Sequence, residues 1–149
     1  MKKILIYLVA LMISTITLFV GTGCSSSEAD EIDKVIEQVN RIEEWDVESS
    51  DKDENLRLLR RTITNMKAIN TSHCPQDFRI SYEHFIQTLE NLYVLALDAP
   101  ESIFGGMVSI FTGWAGKAEK ALKECENAHS DVNLIAAKHG AKKRLKSLE

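Results

Sequence analysis

The sequence predicts an all-α fold: an up-and-down bundle of four or five helices stapled by one disulfide. Apolar residues recur at three-and-four spacing through most of the chain, and no alternating strand pattern competes with them. Capping and turn residues separate the periodic stretches. With 149 residues, of which 27% are charged, the composition is typical of one globular domain, expected over residues 31–140.

The first two helices follow from clear apolar stripes. Residues 29–45 place isoleucine and valine on one face and charged side chains on the other. A polar break follows, and residues 51–70 form the second stripe. Ser50 and Asp53 have the spacing of a capping box, so the second helix is expected to begin there.

The third helix, residues 75–97, has the clearest stripe in the chain. Pro75 suits the first helical turn, and Asp77 suits the positive N-terminal end of a helix. A turn surrounds Pro100. The last helical region is expected to extend from beyond this turn to Gly140, which stands where a C-terminal glycine cap belongs.

The N-terminus has the pattern of a secretory signal. Lys2 and Lys3 precede an uncharged apolar run, which small residues connect to Cys24. Plain secretion is one alternative to a lipoprotein, and an uncleaved membrane anchor is the other, because the run is just long enough to span a bilayer. The small residues and the cysteine favour a cleaved signal peptide.

This segment resembles a bacterial prolipoprotein signal. Cys24 and the Thr-Gly before it match the end of the lipobox, although Gly21 stands where the family usually has Leu. The resemblance implies that residues 1–23 are removed and that Cys24 is diacylated. It also implies that residues 24–30 form a tether to the membrane. Ser25, which is not Asp, implies the outer membrane, facing the periplasm, in a Gram-negative cell.

Cys74 and Cys125 are expected to form the disulfide, because an even pair of cysteines in an exported chain usually forms a bridge. Bridged α-carbons lie within about 7 Å, but one straight last helix ending at His139 would leave Cys125 about 21 Å from that end. A break at residues 127–131, with a fifth helix from Val132 to His139, would remove this conflict. A bent or obliquely crossing last helix is the alternative, and we prefer the break.

A second, fainter resemblance concerns the mature chain. The segment CPQDFRISYEHF, together with the closing VNLIAAKHGA, is similar to elements of uncharacterised exported helical proteins with a Cys-Pro-x-Asp-Phe helix start. This resemblance implies a helical fold and export, without an activity.

Residues 102–116, SIFGGMVSIFTGWAG, contain no charged residue. Their helical spacing favours a core-facing helix start, whereas their glycines favour a close approach of another backbone or a segment that moves. Contact with a partner or membrane, and a loop, are the alternatives. Under the partner interpretation, the hydrophobic contact residues are Phe104, Met107, Phe111 and Trp114.

The sequence shows no catalytic constellation. It contains no Gly-x-Ser-x-Gly, His-Glu-x-x-His or Cys-x-x-Cys-His pattern and no phosphate-binding loop. His84 is a weak candidate for a metal ligand or a buried hydrogen bond, and His139 with Met66 is a further, less favoured pair of haem ligands. We therefore predict no enzyme activity and no cofactor, with a small-ligand, metal or haem carrier as the alternative function.

The charge pattern bears on the partners. Without residues 1–23, which contain Lys2 and Lys3 and no acidic residue, the chain has 16 basic and 22 acidic residues and a formal net charge of −6. This charge argues against nucleic acid or an anionic lipid surface as the main partner. The basic C-terminal tail, residues 141–149, either contacts anionic lipid head groups or is a solvated helix end whose cations complement the helix dipole. The expected protein is an envelope lipoprotein, attached to the membrane through Cys24, whose helical domain binds or supports another envelope protein or component.

Overall fold

The computed structural model describes residues 27–42, 51–99 and 112–146. Within these ranges every regular element is an α-helix, which confirms the predicted all-α class. None of the described helices is both long and apolar enough to cross a bilayer. The elements are α1 (Glu28–Ile42), α2 (Lys52–Lys67), α3 (Gln76–Leu97) and α4 (Thr112–Lys138).

A reciprocal cap starts α1. The backbone N–H of Asp30 donates to Ser27 Oγ, and the N–H of Ser27 donates to Asp30 Oδ2, both at 3.2 Å. This capping box satisfies backbone donors that the first helical turn leaves without partners. The predicted apolar stripe is confirmed, and its buried members are Ile32, Val35, Ile36 and Val39.

Asp51 caps α2 by accepting a hydrogen bond of 2.9 Å from the backbone N–H of Asp53. The helix therefore begins one residue later than the capping-box pattern of Ser50 and Asp53 predicts. Ser50 itself lies outside the described residues. The buried positions of α2 are Thr62, Ile63 and Met66.

The contact between helices α3 and α4 is more extensive than that between any other described pair of helices. They are antiparallel, because the start of α3 contacts the end of α4 and the end of α3 contacts the start of the described part of α4. Three contacts define the register: Asp77 with His139, Phe85 with His129, and Leu95 with Trp114.

One hydrophobic core contains side chains from all four described helices. Phe78 and Phe85 of α3 are fully buried at its centre. Phe78 stacks on Tyr82 with ring centroids 6.2 Å apart, and the Tyr82 hydroxyl donates a 3.0 Å hydrogen bond to the carbonyl of Met66. This bond satisfies a buried polar group at the α2–α3 contact.

The helix α4 is continuous through residues 127–131, so the predicted break is wrong, as is the separate fifth helix from Val132 to His139. The polar residues of this segment lie on a helix whose buried face is unbroken. Ala128, Val132 and Ala136 keep the apolar spacing, and all three are buried.

The predicted disulfide is also absent: Cys74 and Cys125 are both buried thiols, and no disulfide occurs among the described residues. Because Phe85 lies beside His129, Cys125 lies level with the turn of α3 that follows Phe85. That turn is about 20 Å along α3 from Cys74 at 1.5 Å per residue. A bridge needs α-carbons within about 7 Å, so the straight α4 separates the two cysteines too widely.

The glycines at the start of α4 do not mark a close approach of another backbone. Gly113 and Gly116 are exposed, and a Cβ added at either would meet nothing within 4 Å. The close-packing expectation is therefore wrong for these two positions. Gly105 and Gly106 lie outside the described residues.

Candidate functional site

Charged side chains meet at the end of the bundle where α1 and α3 begin and α4 ends. His139 Nε2 lies 2.8 Å from Asp77 Oδ1, and His139 Nδ1 lies 3.0 Å from Glu28 Oε2. Lys138 Nζ donates to the other Asp77 oxygen at 2.8 Å. We call these four residues the His139 cluster, and it joins three helices.

The electrostatics of the His139 cluster favour paired charges. A neutral imidazole has one donor nitrogen, so His139 donates to both carboxylates only when both ring nitrogens are protonated. The hydrogen bond from Lys138, with a further one from His139, lowers the pKa of Asp77 to about 2. The arrangement therefore suits an ion-pair network that fixes the start of α1.

Beyond this cluster the chain turns sharply at Gly140, whose φ is 78°. The N–H of Gly140 donates to the carbonyl of Ala137 at 2.9 Å, and the N–H of Ala141 donates to that of Ala136 at 3.0 Å. These two bonds form a Schellman motif, so the predicted glycine cap is confirmed. Residues 141–146, which we call the strap, follow without regular secondary structure.

Side chains of α1 bind the backbone of the strap. Asp33 accepts hydrogen bonds from two consecutive strap amides, those of Lys142 and Lys143, at 2.9 and 2.7 Å. Asn40 binds the strap twice: its Oδ1 accepts from the amide of Lys146 at 2.9 Å, and its Nδ2 donates to a second strap residue. That second contact, of 2.8 Å, is with the carbonyl of Arg144.

Side chains of α4 complete the site from the other side. Asn133 Oδ1 accepts from the amide of Leu145 at 2.8 Å, and His129 Nε2 lies 2.8 Å from the carbonyl oxygen of Lys146. Ala141 and Leu145 are buried against the core cluster. The strap therefore lies between two helices, in what we call the strap groove, formed by Asp33, Glu37, Asn40, His129 and Asn133.

The structure corrects one interpretation of the basic tail. Residues 141–146 are not a solvated helix end, because the chain leaves α4 at Gly140 and buries Leu145. Among the tail cations, Lys143 pairs with Glu37 of α1. Contact of the tail with anionic lipid stays a prediction, and residues 147–149 lie outside the described residues.

Trp114, a predicted partner-contact residue, is half-buried and bonded within the protein. Its indole N–H donates to the carbonyl of Leu95 at 3.3 Å. Lys52 Nζ similarly donates to the carbonyls of Leu97 and Ala99, at 3.3 and 2.5 Å. The carbonyls of Leu95 and Leu97 belong to the C-terminal turn of α3, which leaves them without helical partners, and the carbonyl of Ala99 lies just beyond that turn.

The other predicted site residues are distributed as follows. His84 is exposed on α3, so the expectation that it holds a buried hydrogen bond is wrong. The part of the chain that the structure describes has no group of three or more His, Cys, Asp or Glu side chains placed to hold a metal ion. Four predicted residues lie outside the described ranges: Cys24, Phe104, Met107 and Phe111.

A shallow depression lies between α2 and α3. Its volume is about 260 Å³, and Met66, Tyr82 and Ile86 form part of its lining. The Lys67–Glu90 ion pair, 2.5 Å long, also borders it. Pockets for small molecules usually enclose roughly 300–1,000 Å³, so this depression gives little support to a ligand carrier.

Sequence patterns did not single out the residues that bind the strap. Asp33, Asn40 and Asn133 are polar positions on amphipathic helices, where a solvated side chain is the ordinary expectation. A signal was nevertheless present, because Leu145 interrupts a run of cations and needs an apolar partner.

Comparison with known proteins identifies no family for the chain. No protein-family model, no curated protein and no solved structure matches it. The residues and contacts of the chain itself are therefore the basis for a function.

Proposed function

We propose that the protein is a lipid-anchored envelope protein whose helical domain binds or supports another envelope component. The observation on which this depends most is the N-terminal signal that ends in Gly-Thr-Gly and Cys24. Removal of residues 1–23 would leave a diacylated Cys24 as the first residue. Two acyl chains hold a protein on a bilayer durably, where one chain would not.

The position of α1 supports a body held close to the membrane. The first helix begins at Glu28, four residues after Cys24. At about 3.5 Å per extended residue, this connection spans at most about 14 Å. In a Gram-negative cell the helical domain would then lie near the periplasmic face of the outer membrane.

The strap groove supports a binding role for the helical domain. Its side chains are arranged to hold a peptide backbone without regular secondary structure, through hydrogen bonds to backbone amides and a carbonyl. Phe104, Met107 and Phe111 remain the proposed hydrophobic contacts with an envelope partner. No observation favours the alternative carrier function specifically, since His84 is exposed.

Metabolic labelling tests the lipid anchor. Cells that express the full chain are grown with an alkyne-bearing fatty acid, and the protein is then examined for label and for membrane association. The wild type is expected to be labelled and membrane-bound, whereas Cys24→Ala is expected to lose both properties. Cys74→Ala is the matched control and should keep the label. A wild-type protein without label would overturn the lipid anchor.

Photocrosslinking in intact cells tests the partner contact. A photoreactive residue at position 107 or 111 is expected to form an adduct of defined mass. The same residue at exposed Lys117 serves as the control and should give none. Background levels at both 107 and 111 would contradict the proposed contact residues while leaving the anchor unaffected.

A further inference from the structure

We propose that the strap groove is a recognition site for a basic peptide segment of a partner protein. The protein's own strap occupies this site in cis, and the partner segment occupies it in trans when the strap leaves. This inference deepens the binding role proposed above, because it names the site and the chemistry of the segment that the site accepts.

The groove recognises a peptide backbone. Asp33, Asn40 and Asn133 accept hydrogen bonds from four strap amides, and Asn40 also donates to a strap carbonyl. These contacts do not depend on the side chains of the bound segment. They are therefore equally available to another segment that adopts the same backbone conformation.

Two buried strap side chains define the apolar part of the pattern. Ala141 and Leu145 are each only 4% exposed, whereas the residues between them are exposed. A bound segment therefore needs a small apolar residue and a leucine-sized residue four positions later. Specificity of this kind, with backbone bonds and a few side-chain anchors, is common in peptide recognition.

Charge defines the rest of the pattern. Asp33 and Glu37 of α1 face the strap, and Glu37 pairs with the ammonium group of Lys143. A segment with cations between its two apolar anchors complements these carboxylates, whereas an acidic segment would be repelled. The partner segment is thus basic, with the order small residue, cations, leucine, cation.

Opening of the strap in the proposed exchange is a local event that leaves the helices of the groove folded. The strap has no regular secondary structure and joins α4 through the single glycine turn at Gly140. The buried stripe of α1, which includes Val35, Ile36 and Val39, packs in the same hydrophobic core as side chains of the other three described helices, so its contacts are not confined to the strap. Local opening of such a segment requires less free energy than global unfolding.

A labelled peptide tests the proposal on the full chain in detergent. The probe is a fluorescent peptide of residues 140–149, GAKKRLKSLE, and anisotropy measures its binding. Leu145→Asp in the chain is expected to displace the cis strap and to increase peptide affinity at least tenfold over the wild type. In the wild type the tethered strap competes at an effective concentration in the millimolar range.

Matched variants show whether the peptide uses the groove. Asn40→Ala, added to the Leu145→Asp chain, is expected to weaken binding at least tenfold. Gln38→Ala is the control, since its amide bonds within α1 to Lys34, and it should leave binding unchanged. A probe peptide with Asp in place of its leucine is expected not to bind.

Four results would overturn the proposal. One is a Leu145→Asp chain of normal helical content that does not bind the peptide, and another is binding that Asn40→Ala leaves unchanged. The third is that the strap amides of the wild type exchange their hydrogens only when the whole protein unfolds. If the wild type is a dimer and Leu145→Asp dissociates it, the groove binds the strap of a second copy, and the proposal of a partner protein's segment is wrong. None of these results affects fatty-acid labelling at Cys24, which tests the anchor separately.

Discussion

The Asp77 carboxylate lies 2.8 Å from Nε2 of His139 and joins the first turn of α3 to the residue that follows α4. The other oxygen of Asp77 accepts from Lys138, while His139 also contacts Glu28 at the start of α1. One carboxylate thus has a central place in the polar contacts at this end of the bundle.

Asp77→Asn is expected to lower stability at neutral pH but not in strong acid. Hydrogen bonds from Lys138 and His139 hold the pKa of Asp77 at about 2, below its ordinary value of 3.8. A lowered pKa contributes stability that is present above about pH 4 and is lost as the pH falls towards 2. Urea midpoints of the wild type and the variant should therefore differ at pH 6 and converge near pH 2. Equal midpoints at pH 6 would contradict this role.

Phe78→Ala is expected to destabilise the domain by about 3–5 kcal/mol, because it empties a fully buried site in the core. Ile80→Ala is the matched control on the same helix. Ile80 is 58% exposed, and its truncation should change the free energy of unfolding by about 0.5 kcal/mol or less. Denaturant titration measures the free energy of unfolding of both variants. A similar decrease in the two would contradict the assignment of Phe78 to the buried face of α3 and Ile80 to its exposed face.

Gly116→Ala is expected to stabilise the protein by about 0.5–1 kcal/mol, because an exposed glycine in a helix gains from alanine. The added methyl group would meet nothing within 4 Å. Gly140→Ala is the comparison and should have the opposite sign, since a φ of 78° strains any residue with a Cβ. Thermal unfolding of the two variants measures both effects. A loss of stability in Gly116→Ala would contradict the open space around position 116.

The thiols of Cys74 and Cys125 are expected to react with a maleimide only after unfolding. Both are buried, and burial raises the pKa of the Cys74 thiol, which reduces its thiolate fraction. Intact mass of a Cys24→Ala chain, denatured without reductant, should show two adducts. A mass lower by two hydrogens, with no adduct, would instead show a disulfide between Cys74 and Cys125. That result would contradict the register of α3 and α4, which separates the two cysteines.

Local patterns predicted the helices well, because each helix depends on residues three and four positions apart. The α3 stripe and Pro75 placed the start of that helix within one residue of Gln76. The glycine cap at Gly140 was likewise a local feature, and its Schellman bonds join residues a few positions apart.

The wrong and missing predictions concern residues that are distant in the sequence. Counting cysteines suggested a bridge, but only the pairing of Phe85 with His129 shows that Cys125 lies far from Cys74. Similarly, nothing near Asn40 in the sequence indicates a partner, because its contact with Arg144 spans 104 positions. Amphipathic periodicity identifies the polar face of a helix without identifying what covers it.

The contact between the strap and α1 sets an order of events during synthesis. Contacts of Glu28 with His139 and of Asn40 with Arg144 span 111 and 104 positions. At about 5–20 residues per second, a ribosome makes the strap roughly 5–20 s after α1. Through that interval the polar side chains of α1 lack the segment that they bind in the finished protein. The first described helix to be synthesised is therefore among the last to gain all of its contacts.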